Sequence, residues 1–245
     1  MHKSMKSILP IMVAAIAIFP AAAFAAVDGT WIGPSTGGTW TDAANWDAGE
    51  ATGYPSGAGS IARFTNSVTV ASAGVDMCEV YVADNCTVTH NATSTSLLKA
   101  NSSNEVVFDI GENATFKQSG TIPNVYAGNA WTLVKKGKGT ISFGGVIGHW
   151  SMSGFNFKTI DVRGGVFKMA CAQSPRVFAS DNYIRVREGA TLIDVSTGNQ
   201  QLGSTIVVDI DEGGTLDFNG KGGTLRGIIG AGTAKLGGTA EITNP

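Results

Sequence analysis

The sequence predicts an all-β fold: a right-handed parallel β-helix (β-solenoid) with about 25 residues per coil and an N-terminal aromatic cap. Three observations predict it. Glycine makes up 33 of 245 residues and only 15% are charged, against averages of roughly 7% and 25%. No apolar pattern of helical period persists beyond the first 25 residues, and glycine interrupts nearly every window of a dozen. One turn phrase recurs at a nearly fixed interval along the rest of the chain. A hydrophobic content of 43% is enough for a core and excludes wholesale disorder. The net charge of −2 leaves no electrostatic footprint for nucleic acid or an anionic membrane.

Residues 1–25 read as a signal peptide. A short basic start with Lys3 and Lys6 precedes an apolar run from Ile8 to Phe24, and Ala23-Phe24-Ala25 places small residues where a signal peptidase cuts, after Ala25. Pro10 and Pro20 lie inside the run and no basic flank follows it, which argues against a membrane anchor. No later stretch is long and apolar enough for a transmembrane helix. The expected location is therefore secreted or at the cell surface, by a bacterial-type export route. Four sequons, at Asn85, Asn91, Asn101 and Asn113, matter only in a eukaryotic secretory route.

Residues 26–64 form a Trp/Gly-rich segment. Trp31, Trp40 and Trp46 fall within 16 positions, punctuated by glycine. The end of a solenoid exposes strand edges and apolar interior, so its terminal unit must differ from the rest and cover them. Large aromatics on a glycine-rich loop suit that task. The competing reading is a sugar-stacking platform made by the same three rings.

Residues 65–245 carry the repeats. Alternating strand-like runs such as Glu79–Val82, Val106–Ile110, Tyr183–Val186 and Thr205–Ile210 each lead into a turn and a second short strand. The common phrase is an apolar residue, a polar pair, Gly or Asn, one residue, Thr and an apolar residue. It reads Val82–Val88, Ile110–Phe116, Val186–Leu192 and Ile210–Leu216, with looser copies ending at Ile141, Val166 and Ala240. The apolar ends at 88, 116, 141, 166, 192, 216 and 240 are separated by 28, 25, 25, 26, 24 and 24 residues. Gly and Asn tolerate positive φ where one strand turns into the next. Thr at a constant rung predicts a ladder of hydroxyls. At about 4.8 Å per coil, six spacings make a rod of roughly 30 Å. A β-sandwich also has strands at regular intervals, but it does not need one turn phrase repeated seven times.

Cys78 and Cys86 could bridge and leave Cys171 single, or all three could be small buried hydrophobes.

The opening TWIGPSTGGTWTDAANWDAGEATGYPSGAGSIARF, residues 30–64, resembles the start of bacterial autotransporter-type passenger proteins, in which such a run precedes a β-helix. LVKKGKGTISFGG and FKTIDVRGGVFKMA are similar to one autotransporter-associated β-strand repeat, the match being clearest over residues 133–169. The resemblance implies an exported β-helical passenger. It departs from a complete autotransporter in lacking, before Pro245, the alternating segments of an outer-membrane barrel. A fragment, a short secreted relative or a protein exported by another route all fit that departure.

Chemistry is sparse. Asp209, Asp211, Glu212 and Asp217 form the best carboxylate cluster, and Asp209 and Asp211 alternate to one strand face where oxygen ligands could hold calcium. They equally fit the solvated side of a strand whose Ile206, Val208 and Ile210 face the core. His90 and His149 lack partners recognisable by spacing, and His2 belongs to the signal peptide. Ser151 and Ser153, near Gly148 and Gly154, lack the strand-to-helix context of a nucleophile elbow. Lys135, Lys136 and Lys138 read as a solvated turn. No catalytic, cofactor-binding or metal-ligating set is therefore assigned. The expected function is an exported, non-catalytic structural or adhesin-like surface rod, whose partners would be extracellular glycans or cell-surface components. The alternative is a polysaccharide-binding or polysaccharide-cleaving β-helix using the aromatic segment or the Asp209/Asp211 face.

Overall fold

The computed structural model describes residues 26–72, 74–92, 97–122, 131–147, 157–171, 183–195, 202, 206–221, 224–237 and 241–242. Within them the chain makes nine circuits, each giving one strand to each of two long sheets, and the first circuit adds a second strand to the first sheet. The first circuit supplies β1 (Asp28–Trp31) and β2 (Gly38–Thr39), then a 3-10 turn (Ala43–Asn45) and β3 (Trp46–Asp47). β4 (Ile61–Phe64), β5 (Val68–Ser72) and β6 (Asp76–Met77) follow, then β7 (Glu79–Val82), β8 (Thr87–Ala92) and β9 (Leu97–Leu98). The middle circuits pair β10 (Glu105–Ile110) with β11 (Thr115–Ile122), β12 (Thr132–Lys136) with β13 (Thr140–Ile147), and β14 (Thr159–Val162) with β15 (Val166–Cys171). β16 (Tyr183–Val186) and β17 (Thr191–Asp194) come next, then β18 (Val207–Ile210), β19 (Thr215–Asp217) and β20 (Thr224–Leu225). The last circuit holds β21 (Gly227–Gly230), β22 (Thr233–Lys235) and β23 (Glu241–Ile242).

The first sheet runs β3-β1-β4-β7-β10-β12-β14-β16-β18-β21 and the second β2-β5-β8-β11-β13-β15-β17-β19-β22. Neighbours are parallel throughout, except that β3 lies antiparallel on β1 at the N-terminal edge. Two small parallel pairs, β6 with β9 and β20 with β23, add a third side at some levels. Among the described residues there is no helix long and apolar enough to cross a membrane. Eight steps of about 4.8 Å give a stack of about 38 Å.

The repeat spacing is visible as register. Val88, Phe116, Ile141, Leu192 and Leu216 occupy one inward column of the second sheet. Two positions differ from the phrase. Val166 pairs with Thr140, so Phe167 takes the inward place beside Ile141. The turn there is Arg163-Gly164-Gly165, and Val166 stands where the other copies have Thr. At the C-terminal end Leu216 pairs with Ala234 rather than Ala240, because the last circuit takes only 18 residues; residue 240 lies outside the described residues.

The threonines of the phrase line up in one column, interrupted by Val166. Thr87, Thr115, Thr140, Val166, Thr191, Thr215 and Thr233 align along the outer face of the second sheet. The turns between the two sheets share one device. Asn85, Asn113, Gly189 and Gly213, each two residues before the threonine column, have φ between 56° and 77°; Gly137 and Gly165, three residues and one residue before it, share that conformation with φ of 69° and 60°. Asn and Gly adopt that left-handed conformation at least cost, which is why the phrase needs one of them there. Adjacent turns also bond to each other, Glu112 N–H donating to Asp84 Oδ1 at 2.7 Å.

Inward-facing residues of both sheets form one continuous apolar interior from Trp31 to Leu225. In β10, β12 and β14 burial extends to the outer face as well, where Val107, Val134 and Asp161 lie side by side.

Candidate functional site

The Asp209/Asp211 face is the place where charged groups converge. Parallel register puts Asp161, Arg185 and Asp209 in one outward column on β14, β16 and β18. The turns that follow these strands add Arg163, Arg187 and Asp211. Arg185 lies between the two candidate carboxylates, with Nη2 donating to Asp211 Oδ1 at 3.1 Å and Nε 3.8 Å from Asp209 Oδ2. The Tyr183 hydroxyl donates to Asp209. Arg187 binds Asp161 through Nε at 2.8 Å and Nη2 at 3.1 Å, and reaches Asp211 at 3.9 Å. Arg163 donates to Asp161 at 2.8 Å and to Glu105 at 2.8 Å. The result is one chain of ion pairs that reaches from β10 to β18.

The electrostatics follow from that pairing. Burial alone would raise the Asp161 carboxyl, but hydrogen bonds from Arg187 and Arg163 outweigh it and hold its pKa below the usual value. The Tyr183 phenol is pushed up to about 12 by burial, then by its bond to anionic Asp209. Guanidinium groups therefore take the place that calcium would need between Asp209 and Asp211. Asp217 sits apart on the second sheet, 3.6 Å from Lys235. Glu212 lines an open groove of about 710 Å³ with Glu188, Asp211 and Gly230. No group of three or more potential metal ligands occurs among the described residues.

The three tryptophans are 3%, 0% and 5% exposed at Trp31, Trp40 and Trp46, so they are not an open stacking surface. They pack on one another and on Phe64 with centroids 5.1–6.1 Å apart. Trp40 Nε1 donates to Pro55 O at 2.8 Å and Trp46 Nε1 to Trp40 O at 2.7 Å.

Two interior polar groups escaped the sequence reading. His90 on β8 lies between Ser72 on β5 and Gln118 on β11, bonded to both. Burial lowers its pKa to about 4, with Gln118 opposing the shift. The signal was available: His90 and Gln118 each stand two residues after an apolar repeat end. Lys135 corrects an expectation outright. It is fully buried, in the inward column between Phe108 and Val162. Its ammonium donates to the carbonyls of Lys136, Gly137 and Gly164 at 2.5, 2.8 and 3.0 Å. Burial lowers its pKa to about 8, against the pull of Asp109. Lys138, by contrast, is exposed and 3.5 Å from Glu112.

Cys78 and Cys86 are buried free thiols rather than a bridge. Cys78 accepts from Gly59 N–H, and burial pushes its thiol pKa up; Cys86 donates to Thr65 O. The Cys171 side chain, His149, Ser151 and Ser153 lie outside the described residues. In comparisons with known proteins, no family model, no curated protein and no solved structure matches this chain.

Proposed function

We propose that this chain is an exported, non-catalytic structural rod, a right-handed β-helix that serves at the cell surface or outside the cell as an adhesin-like or passenger segment. The observation that best supports this reading is the pairing on its outer face, where Arg163, Arg185 and Arg187 engage Glu105, Asp161, Asp209 and Asp211. Acid–base cleavage of a polysaccharide needs carboxylates free to exchange protons with substrate, and these are held by guanidinium groups. The right hand follows from the strong general preference of parallel strand crossovers. The tryptophan cluster and antiparallel β3 would close the N-terminal end, and the resemblance to autotransporter passengers supports export. Function would then be geometric. A stack of parallel strands gives a stiff spacer and presents its loops along one side.

The rival, a polysaccharide-binding or polysaccharide-cleaving β-helix, draws its support from the open groove beside Glu188, Asp211 and Glu212. One pair of measurements separates them. The mature chain is expected to be accessible to labelling on intact cells and to turn over neither acidic nor neutral polysaccharides, with or without calcium. Calcium-dependent cleavage that disappears in a folded Asp209→Ala, Asp211→Ala variant would establish the rival. Absence from the surface and the medium of producing cells would overturn export.

A further inference from the structure

We infer that His90 is an acid-sensitive latch, holding the N-terminal aromatic cluster onto the coil stack while its ring is neutral and releasing it on protonation. The ring is fully buried, 5.4 Å from Trp40 and 6.1 Å from Phe116 between centroids. Trp40 in turn packs on Trp46 and Phe64, so His90 is where that cluster meets the second sheet.

A neutral imidazole has one N–H and one lone pair, and its two neighbours match that pattern. Gln118 Nε2 donates to Ser119 O, which presents Gln118 Oε1 to the N–H at Nδ1 of His90. The lone pair at Nε2 then accepts from the Ser72 hydroxyl. A proton added at Nε2 forces that hydroxyl to reverse and leaves a full charge among aromatic rings. Among the described residues no inward acidic group lies beside it. The inward side chains of β5 are Val68, Val70 and Ser72; those of β8 and β11 around the ring are Val88, Phe116 and Gln118. On the facing sheet Phe64, Val82, Phe108 and Ile110 are apolar, and the nearest inward charge, Lys135 two circuits on, has the same sign. The inward carboxylate of the His90 column is Asp194, four rungs away through Gln118, Phe143 and Met169.

The sign follows directly. An exposed histidine titrates near 6.5, and burial lowers the folded value to about 4. Between these values the opened form holds a proton that the closed form lacks. Opening therefore becomes about ten-fold more favourable per pH unit as pH falls from about 6.5 to about 4.

Hydrogen exchange of the mature chain, followed from pH 7.5 to 4.5 and corrected for intrinsic rates, tests this. Protection of residues 28–47 and 87–91 should fall about ten-fold per unit below 6.5, while residues 183–194 and 207–217 stay protected. His90→Gln keeps a donor and an acceptor without titrating, and should abolish the acid dependence. Constant protection of residues 28–47 across the range, or an unchanged acid response in His90→Gln, overturns the latch. Should that variant fail to fold, the wild-type imidazole 15N shifts decide. A ring that stays neutral until the segment opens supports the latch, and protonation near 6.5 in the closed protein overturns it.

Discussion

At the residue scale the interior is held by one placed cation and by packed rings as well as by aliphatic packing. Lys135 lies where an aliphatic residue would serve, yet its stem fills the column and its ammonium collects three carbonyls from two successive turns. Each carbonyl left without a donor in a dry interior costs about 1–3 kcal/mol. Lys135→Met, which keeps the packing but leaves the same three carbonyls without a donor, should therefore lower unfolding free energy by about 3 kcal/mol or more in urea titration, and Lys135→Ala, which also empties the column, by more than that. A loss within about 0.5 kcal/mol for the alanine variant would mean the ammonium is solvated after all. Trp46 makes the same kind of argument for the N-terminal cluster. It touches Trp31, Trp40 and Phe64 and donates to Trp40 O. Trp46→Ala should cost about 3–5 kcal/mol, as large buried rings do. A variant that melts like the parent would show that the ring does not hold the end of the stack.

At the element scale the turn sets what each circuit accepts. Two glycines with the same φ of 69° give a controlled comparison, because their surroundings differ. A Cβ at Gly189 would meet nothing within 4 Å, so Gly189→Ala adds only the strain of a left-handed alanine, about 1–2 kcal/mol. A Cβ at Gly137 would lie 2.1 Å from Ile110 O, which is backbone of the previous turn and cannot step aside alone. Gly137→Ala should cost about 2 kcal/mol more than Gly189→Ala, read as the difference between their denaturation midpoints at equal slope. Equal costs would place the strain in φ alone and deny that turns stack in contact. Asn113, with φ of 56°, should accept glycine with little change and lose about 1–2 kcal/mol as alanine. The turn phrase was legible in the sequence because this requirement is local. The ion-pair chain, the His90–Gln118 bond and the Lys135 clamp were not, because each joins residues from different circuits, 24 to 58 positions apart, and appears only once the register is known.

At the scale of the whole molecule everything rests on that register, since slipping a strand by one residue turns its inward side chains outward. The repeat phrase located five of the inward rungs and misplaced Val166, whose apolar side chain made it look like an end of the phrase. In the structure Val166 continues the threonine column and Phe167 faces the core, 5.6 Å from Phe143 between ring centroids. The Trp/Gly-rich segment was similarly hard to read, since β1 and β2 belong to the same two sheets without sharing the phrase. Cysteine pairs decide the register directly, because a disulfide needs Cα atoms about 4.4–6.8 Å apart and Cβ atoms facing each other. In a background with Cys78, Cys86 and Cys171 changed to alanine, Thr140→Cys with Val166→Cys should close on mild oxidation. These two residues sit on adjacent rungs of one outward column, about 4.8 Å apart. Thr115→Cys with Val166→Cys lies two rungs apart, about 10 Å, and should stay reduced. Thr140→Cys with Phe167→Cys should also stay reduced, because one side chain points out and the other in. Closure of that last pair in preference to the first would shift the C-terminal half of the stack by one residue, exchanging its core for its surface.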